Sequence, residues 1–317
     1  MHDKDSFELA MSSPAVDSRA SSTRVWSVTL GLVKTMRPRQ WVKNLFVLLP
    51  MVFAKSLLDA TSVSRAILAF ACFCAVSSSV YVMNDLGDVA QDREHPKKRF
   101  RPIAAGVVPE SVARWFGLTL GTTAIVASSL LGLPAMAAVV AYLLLNIAYT
   151  YRLKHIAYLD VLSIATGFEL RVLGGAFAIH VLPETYLVVV TFTLAAFLGF
   201  GKRMHELRQG ETAGKQRAVL ERYDARPLEA LLYLNAVATI GAYVAGALDA
   251  RNRAYFGSNH LVYTAVFAAF GLFRFARIVT TRPDAESPTE EMLEDRWFLL
   301  NLAAWFVSVV LVVYLGR

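Results

Sequence analysis

The sequence predicts an all-α polytopic membrane protein, and three observations carry that reading. Of its 317 residues 56% are hydrophobic and only 18% charged, too apolar a balance for an ordinary soluble globule. The charges are also segregated. Trp115–Tyr151, Thr185–Gly201, Ala230–Leu248, Ala254–Phe273 and Trp297–Gly316 contain no Asp, Glu, Lys or Arg; the first is long enough for two bilayer-crossing helices and each of the others for one. Lastly, Lys and Arg crowd into alternate connections between apolar stretches, the pattern of a chain threaded back and forth through a membrane.

Nine spans follow. The first, 41–57, is entered from the basic stretch Arg37–Asn44. The second, 64–85, contains eighteen consecutive uncharged residues, Ala66–Met83. The third and fourth, 112–131 and 134–151, are parted only by Leu131-Gly132-Leu133-Pro134, a turn signal within one long apolar stretch. The fifth, 158–180, holds Glu169 and Arg171; ionisable groups at that depth are costly and are either functional or paired with a neighbour. The remaining four, 185–204, 228–248, 259–278 and 296–315, coincide with charge-free stretches.

Basic residues orient the chain. The connections after spans two, four, six and eight hold eighteen Lys and Arg residues; the opposite loops hold four, Lys55, Arg65, Arg251 and Arg253. The segment before span one, with Arg24, Lys34, Arg37, Arg39 and Lys43, belongs to the crowded side. The expectation is a cytoplasmic N-terminus and an external C-terminus, which requires an odd number of spans. Residues 1–23 are polar and Ser-rich without the apolar core of a signal peptide, and read as a disordered cytoplasmic tail; residues 24–317 form the transmembrane domain. Cys72 and Cys74 lie two apart in one apolar run, so their side chains diverge and they read as packing residues. The net charge of +7 therefore sits mainly on the cytoplasmic face. With no nucleic-acid motif present, that face suits lipid head groups or a phosphorylated substrate.

Span two runs straight into Asn84-Asp85-Leu86-Gly87-Asp88-Val89-Ala90-Gln91-Asp92. Carboxylates spaced i, i+3 and i+7 share one face of a continuous helix. Side by side they repel, and an all-oxygen set is neutralised by Mg²⁺ or Ca²⁺. The acids are not alone on their side of the membrane. Arg37–Asn44, Arg93–Pro102, Tyr149–Lys154, Gly201–Arg208 and the region of Arg274, Arg277, Glu290, Glu291, Asp295 and Arg296 all reach it. Acids in one group and cations in the others fit a diphosphate: Mg²⁺ on the carboxylates bridges phosphate oxygens, and Lys and Arg take up the remaining charge. The chemistry is then cleavage of the carbon–oxygen bond to that diphosphate, with the departing pyrophosphate stabilised by metal and cations. Taken singly, the acids could be a solvated helix end, and Arg152, Lys154, Lys202 and Arg203 could be interfacial anchors. His180 and His260 fall near the outer face as structural residues, and nothing marks His155 or His205 as a base.

Asn84-Asp85-x-x-Asp88-x-x-x-Asp92 in a nine-span context resembles the first aspartate-rich motif of the UbiA superfamily of intramembrane prenyltransferases. A typical member has a second Asp-rich motif after span six. This chain instead has Gly201-Lys202-Arg203-Met204-His205-Glu206-Leu207. That departure, with Arg37–Asn44 and Asp92–Gly106, resembles the decaprenyl-phosphate phosphoribosyltransferases within the superfamily, over about residues 25–315. The resemblance implies a UbiA-type helical bundle with a cytoplasmic cap in a bacterial cytoplasmic membrane, with its active site facing the cytoplasm. It implies transfer of 5-phosphoribosyl from phosphoribosyl pyrophosphate to a polyprenyl phosphate, with Mg²⁺ as cofactor.

By the same resemblance, Asp85, Asp88 and Asp92 are the catalytic residues and, with Asn84, the metal ligands. Lys97, Lys98, Arg99 and Arg101 would hold the 5-phosphate or shield the site. Lys43, Lys154, Lys202 and Arg203 would hold the lipid phosphate or the leaving group, with Tyr151 and Glu206 completing the substrate-binding set. A polyprenyl phosphate is already an anion at pH 7, so it can attack ribose C1 without a general base, inverting that centre. Two other readings stand beside this one. A prenyltransferase of the usual direction, with a prenyl diphosphate donor and an aromatic acceptor, has the superfamily motif in its favour and the missing second Asp motif against it. An anion transporter would be supported by broken helices at mid-membrane, whereas here the ionisable residues gather at one face and no inverted repeat is present. A homo-oligomer is compatible with the sequence.

Overall fold

The computed structural model describes residues 18–209, 218–281, 291–292 and 294–315, and these contain helices and connections but no strand. Arg282 and Glu290, Lys215 and Arg217, and residues 1–17 of the expected tail lie outside the described residues. Helix α1 (Ser18–Thr35) begins within the stretch expected as tail. No Gly or Pro interrupts it before Gly31, and its Ala and Arg residues favour helix.

Long apolar helices make up the bundle: α3 (Ala60–Gly87), α5 (Glu110–Ser129), α6 (Leu133–Tyr151), α7 (Leu159–Ala178), α8 (Thr185–Arg208), α9 (Ala225–Leu248), α11 (Ala265–Thr281) and α12 (Arg296–Leu315). Short helices α2 (Leu49–Phe53), α4 (Val89–Glu94) and α10 (Ala250–Phe256) lie between them. Seven helical stretches are long and apolar enough to cross a membrane: α3, α6, α7, α8, α9, the 22 residues ending with α11, and α12.

Two of the nine expected spans take other forms. Residues 38–48 make a 3₁₀ helix that passes into the five-residue α2, rather than one α-helix over 41–57. Its Arg37 entry is left-handed, at φ 54°, a conformation costing a non-glycine residue about 1–2 kcal/mol, and Pro50 follows soon after. The other, α5, has twenty residues, but Glu110, Arg114 and its Gly, Ser and Thr residues dilute its apolar character.

Two groups of inter-helix contacts mark the two ends of the bundle. At one, Arg37 meets Asp85, Thr150 meets Asn84, and Tyr223 meets Asp160. At the other, Lys55 donates to the Tyr255 carbonyl at 2.9 Å, the Leu57 amide to the Tyr314 hydroxyl at 2.9 Å, and Arg65 to the carbonyls of Ala178 and Leu131 at 2.6 and 2.8 Å. The first is called the acidic end below.

Between the ends lie two main apolar clusters. Phe73, Val76, Val139, Tyr142 and Val47 join α3, α6, α7 and the 38–48 segment. Phe197, Phe200, Leu228 and Phe275 join α8, α9 and α11 to α7. Residues of α7 enter both clusters, and its glycines allow the approach. A Cβ at Gly175 would lie 1.9 Å from the Val47 carbonyl oxygen, so backbone meets backbone there.

Gly175→Ala should therefore lower stability in detergent by about 1–3 kcal/mol, since a main-chain atom has to move. Gly241→Ala, on α9 with nothing within 4 Å of its Cβ, should gain up to about 1 kcal/mol of helix propensity. Thermal melting of the two variants reads the contrast.

Candidate active site at the acidic end

Helix α3 delivers Asn84 and Asp85, then stops at Gly87; Asp88 links it to α4, which carries Asp92. The break corrects the expectation that all three carboxylates share one face. Asp85 and Asp92 are buried and Asp88 is exposed. In a helix, i and i+7 nearly eclipse while i+3 lies to one side, and the turn at Asp88 leaves its side chain outward. Among the described residues, no three His, Cys, Asp or Glu side chains converge as a metal cage.

Arginines fill that role of neutralisation. Arg101 Nη1 lies 3.1 Å from Asp85 Oδ1 and 2.7 Å from Asp92 Oδ2, so one nitrogen bridges both acids. Arg37 Nη2 reaches the same Asp85 oxygen at 2.6 Å and its guanidinium covers the Tyr81 ring. The carboxylates are 4% and 3% exposed, the two arginines 33% and 28%. The acids thus lie beneath a half-open guanidinium lid. Charge-assisted bonds of this kind are the strong ones, and buried carboxylates need them. Beside them, Thr150 at the end of α6 donates to Asn84 Oδ1 at 3.1 Å. Trp41 donates to Ser78 at 3.1 Å, and Ser78 donates to the Met36 carbonyl, which pins the turn that carries Arg37.

A second polar group sits where α7 starts and α8 ends. Arg203 is 2% exposed; its Nε meets Asp160 Oδ2 at 2.6 Å and its Nη1 meets Glu206 at 2.5 Å. The Tyr223 hydroxyl donates to the other Asp160 oxygen. Burial first, and that carboxylate next, push the Tyr223 hydroxyl well above its usual range, so it remains a donor. The structure places Arg203 inside the protein with its charge met by two acids, while its neighbour Lys202 is partly exposed.

The other sequence-derived residues are more open. Lys43, Lys97, Lys98, Arg99 and Tyr151 are exposed and Lys154 half-buried. The amides of Lys97 and Lys98 both donate to His95 Nδ1 at 3.2 Å, which folds that basic stretch back on itself. Asp295 belongs to Arg274, which holds it by both oxygens at 2.5 to 3.2 Å and draws its carboxyl below the usual range.

Arg171 and Glu169 do not pair. Arg171 is buried on α7 and donates to Asn44 Oδ1 at 2.7 Å, the Tyr142 hydroxyl at 2.8 Å and the Gly167 carbonyl at 2.9 Å. Its guanidinium also lies over the Tyr142 and Phe168 rings. Asn44 in turn donates to Ser77 on α3. One cation thereby ties the 38–48 segment, α3, α6 and α7 together two to three turns from the acids.

Sequence reasoning did not assign Arg37, Thr150, Asp160 or Tyr223 to the site. Arg37 had a local signal in Arg37-Pro38-Arg39, and Asp160 had one as a carboxylate opening an apolar stretch. Thr150 stood in the Tyr149–Lys154 stretch without a role of its own and Tyr223 had no signal, because their partners are 66 and 63 residues away.

Apolar helices of bilayer length, closed at one end by a carboxylate–guanidinium centre, define an integral membrane protein. Residues 45–302 match the UbiA prenyltransferase family, and the chain belongs to it. The decaprenyl-phosphate phosphoribosyltransferase of Mycolicibacterium smegmatis is 33% identical over 301 residues, covering 90% of this chain and 92% of that one. The protein of the same name from Mycobacterium tuberculosis is 34% identical over 296 residues, 92% and 96% of the two chains. A UbiA homolog from Archaeoglobus fulgidus, bound to GPP and Mg²⁺, superposes with a TM-score of 0.67 at 15% identity, over 89% of this chain and 99% of that one. At that identity the likeness is one of fold.

Asp160→Asn would weaken the pairing of the buried Arg203. It should cost about 3–5 kcal/mol of stability, seen as a lower melting temperature in detergent at neutral pH.

Proposed function

We propose that this protein transfers the 5-phosphoribosyl group of phosphoribosyl pyrophosphate to a polyprenyl phosphate of decaprenyl type, releasing pyrophosphate, with Mg²⁺ as cofactor. The observation that carries the proposal is similarity over nine-tenths or more of the chain to proteins named for that activity. The acidic end supports it, with two buried carboxylates and a surrounding set of cations.

Phosphate oxygens of the sugar diphosphate meet Arg37 and Arg101. Lys97, Lys98 and Arg99, exposed on the same connection as Arg101, hold the 5-phosphate. Lys43, Lys154 and Lys202, with Tyr151 at the edge, receive the lipid phosphate. Arg203, held between Asp160 and Glu206, and Glu206 with it act as positioning residues that fix the end of α8 and so the placement of Lys202. A phosphate oxygen of the lipid attacks ribose C1, and the C1–oxygen bond to the diphosphate breaks with its electron pair leaving on pyrophosphate. The attacking oxygen is already anionic, so no side chain has to remove a proton, and attack opposite the leaving group inverts C1. The isoprenoid tail lies among apolar helices open to lipid.

Mg²⁺ fits the donor set. It favours hard oxygen ligands and is held by one or two carboxylates together with substrate phosphates rather than by an all-protein cage. Asp85 and Asp92 supply two carboxylates with Asn84 beside them, and Asp88, outward at the helix break, would have to turn inward to complete the set that holds the ion. When bound, it neutralises charge growing on the departing pyrophosphate.

Nine crossings, with the N-terminus in and the C-terminus out, complete the reading. They count α5 and the 38–53 stretch with the seven apolar spans. Support comes from the alternation of helix ends between the two sets of contacts. The excess of Lys and Arg on the acidic end turns it toward the cytoplasm of a bacterial inner membrane. Residues 24–317 act as one catalytic unit.

Purified protein incubated with labelled phosphoribosyl pyrophosphate, decaprenyl phosphate and Mg²⁺ should yield a lipid-extractable phosphoribosyl product and pyrophosphate in equal amounts. Failure with every polyprenyl phosphate, alongside prenylation of an aromatic acceptor from a prenyl diphosphate, would overturn the proposal in favour of the usual direction. Asp88→Asn should lower kcat about 100-fold or more, the scale of removing one charge-stabilising group, while its exposed position leaves the melting temperature unchanged.

A further inference from the structure

The arrangement of Asp85, Asp92, Arg37 and Arg101 bears on the order in which ligands bind. Both carboxylates are nearly closed to solvent, and both guanidiniums are on the open side. A single nitrogen of Arg101 occupies the place between the two acids, bonded to both. A cation arriving from outside must first dislodge it.

The Arg101 side chain can yield while its backbone stays. The Arg101 amide donates to the Lys98 carbonyl at 2.9 Å, and Ile103 and Val108 just beyond are 1% and 0% exposed, packed against Val82 and Ala113. Displacement is therefore a side-chain rotation toward the solvent side rather than the opening of a loop.

A bare divalent ion gains little there. It sheds water reluctantly if it is Mg²⁺, breaks two charge-assisted bonds of Arg101, and leaves that guanidinium and Arg37 beside a doubly positive ion. A diphosphate arriving with the ion changes the balance, because its oxygens accept the released guanidiniums.

The geometry points to an exchange: Arg101, aided by Arg37, is a built-in counter-cation that keeps the Asp85–Asp92 pair closed to free divalent ions, and the pair takes a metal only together with a diphosphate. Arg101 thus makes metal binding conditional on the sugar diphosphate donor. The inference rests on the proposed reading of this pair as the metal site.

Mn²⁺ binding tests it without turnover. Protein-bound Mn²⁺ is measured in detergent by equilibrium dialysis and electron paramagnetic resonance, with Mn²⁺ alone and with Mn²⁺ plus phosphoribosyl pyrophosphate. Wild-type protein should bind Mn²⁺ well only in the presence of the diphosphate. Arg101→Gln should bind Mn²⁺ alone at least about tenfold more tightly than wild type, the equivalent of removing one competing charge-assisted bond. Arg101→Gln combined with Asp92→Asn should lose that gain, which locates the ion at the pair. Arg37→Gln, which frees Asp85 from the other side, should shift affinity in the same direction and serves if Arg101→Gln does not fold. Equal affinity of wild type and Arg101→Gln for Mn²⁺ alone would overturn the exchange and leave the metal-site reading standing. Failure of both proteins to bind Mn²⁺ even with the diphosphate would overturn that reading and the exchange with it.

Discussion

The burial of Asp85 and Asp92 is sustained by guanidinium groups brought to them from two other segments. Taking a carboxylate out of water costs several kcal/mol unless an opposite charge or hydrogen bonds replace the lost solvation. Arg101 reaches both acids from the connection after α4, and Arg37 reaches Asp85 from the turn after α1. This one requirement accounts for several features at once. The left-handed Arg37 turns the chain out of α1 toward the acids, and Trp41 and Ser78 fasten that turn. The acidic end is closed because its acids and its arginines come from different parts of the sequence.

The same rule of low dielectric governs the rest of the bundle. Among the described residues, the buried Arg203 and Arg171 and the half-buried Arg65 are each met, but in different ways. Arg203 is met by the carboxylates of Asp160 and Glu206, Arg65 by backbone carbonyls at the opposite end, and Arg171 by neutral oxygens and aromatic rings. Arg171 is bonded to no carboxylate in these contacts, so its positive charge adds to the field felt by an anion in the bundle. It also fastens the 38–48 segment, on which Lys43 stands. At Asp85 and Asp92 the countercharges are half-open to solvent while the acids are closed, so a charged ligand can exchange with them there.

Much of this was legible in the sequence. Charge-free stretches of bilayer length marked the apolar helices, and all seven observed apolar spans begin and end within a few residues of the expected ones. The Asn84–Asp92 segment was rightly placed at a helix end among basic neighbours. What escaped was what depends on distant pairing or on a break in regular geometry. Lys202 and Arg203 look alike in sequence, yet Arg203 is taken by Asp160, 43 residues earlier. The three aspartates look cofacial under an unbroken helical period, but the helix is interrupted at Asp88. The 38–48 segment reads as part of an α-helix by its apolar content, while the bonds of Asn44 and the tight packing against Gly175 are visible only in three dimensions.

An activity grounded in family and an exchange grounded in geometry meet at the same four side chains. The most direct measurement is an experimental structure of the protein with Mg²⁺ and phosphoribosyl pyrophosphate bound. The account predicts the ion against Asp85 and Asp92, with Arg37 and Arg101 turned onto phosphate oxygens. A structure in which Arg101 still bridges the two aspartates while the diphosphate lies elsewhere would contradict it.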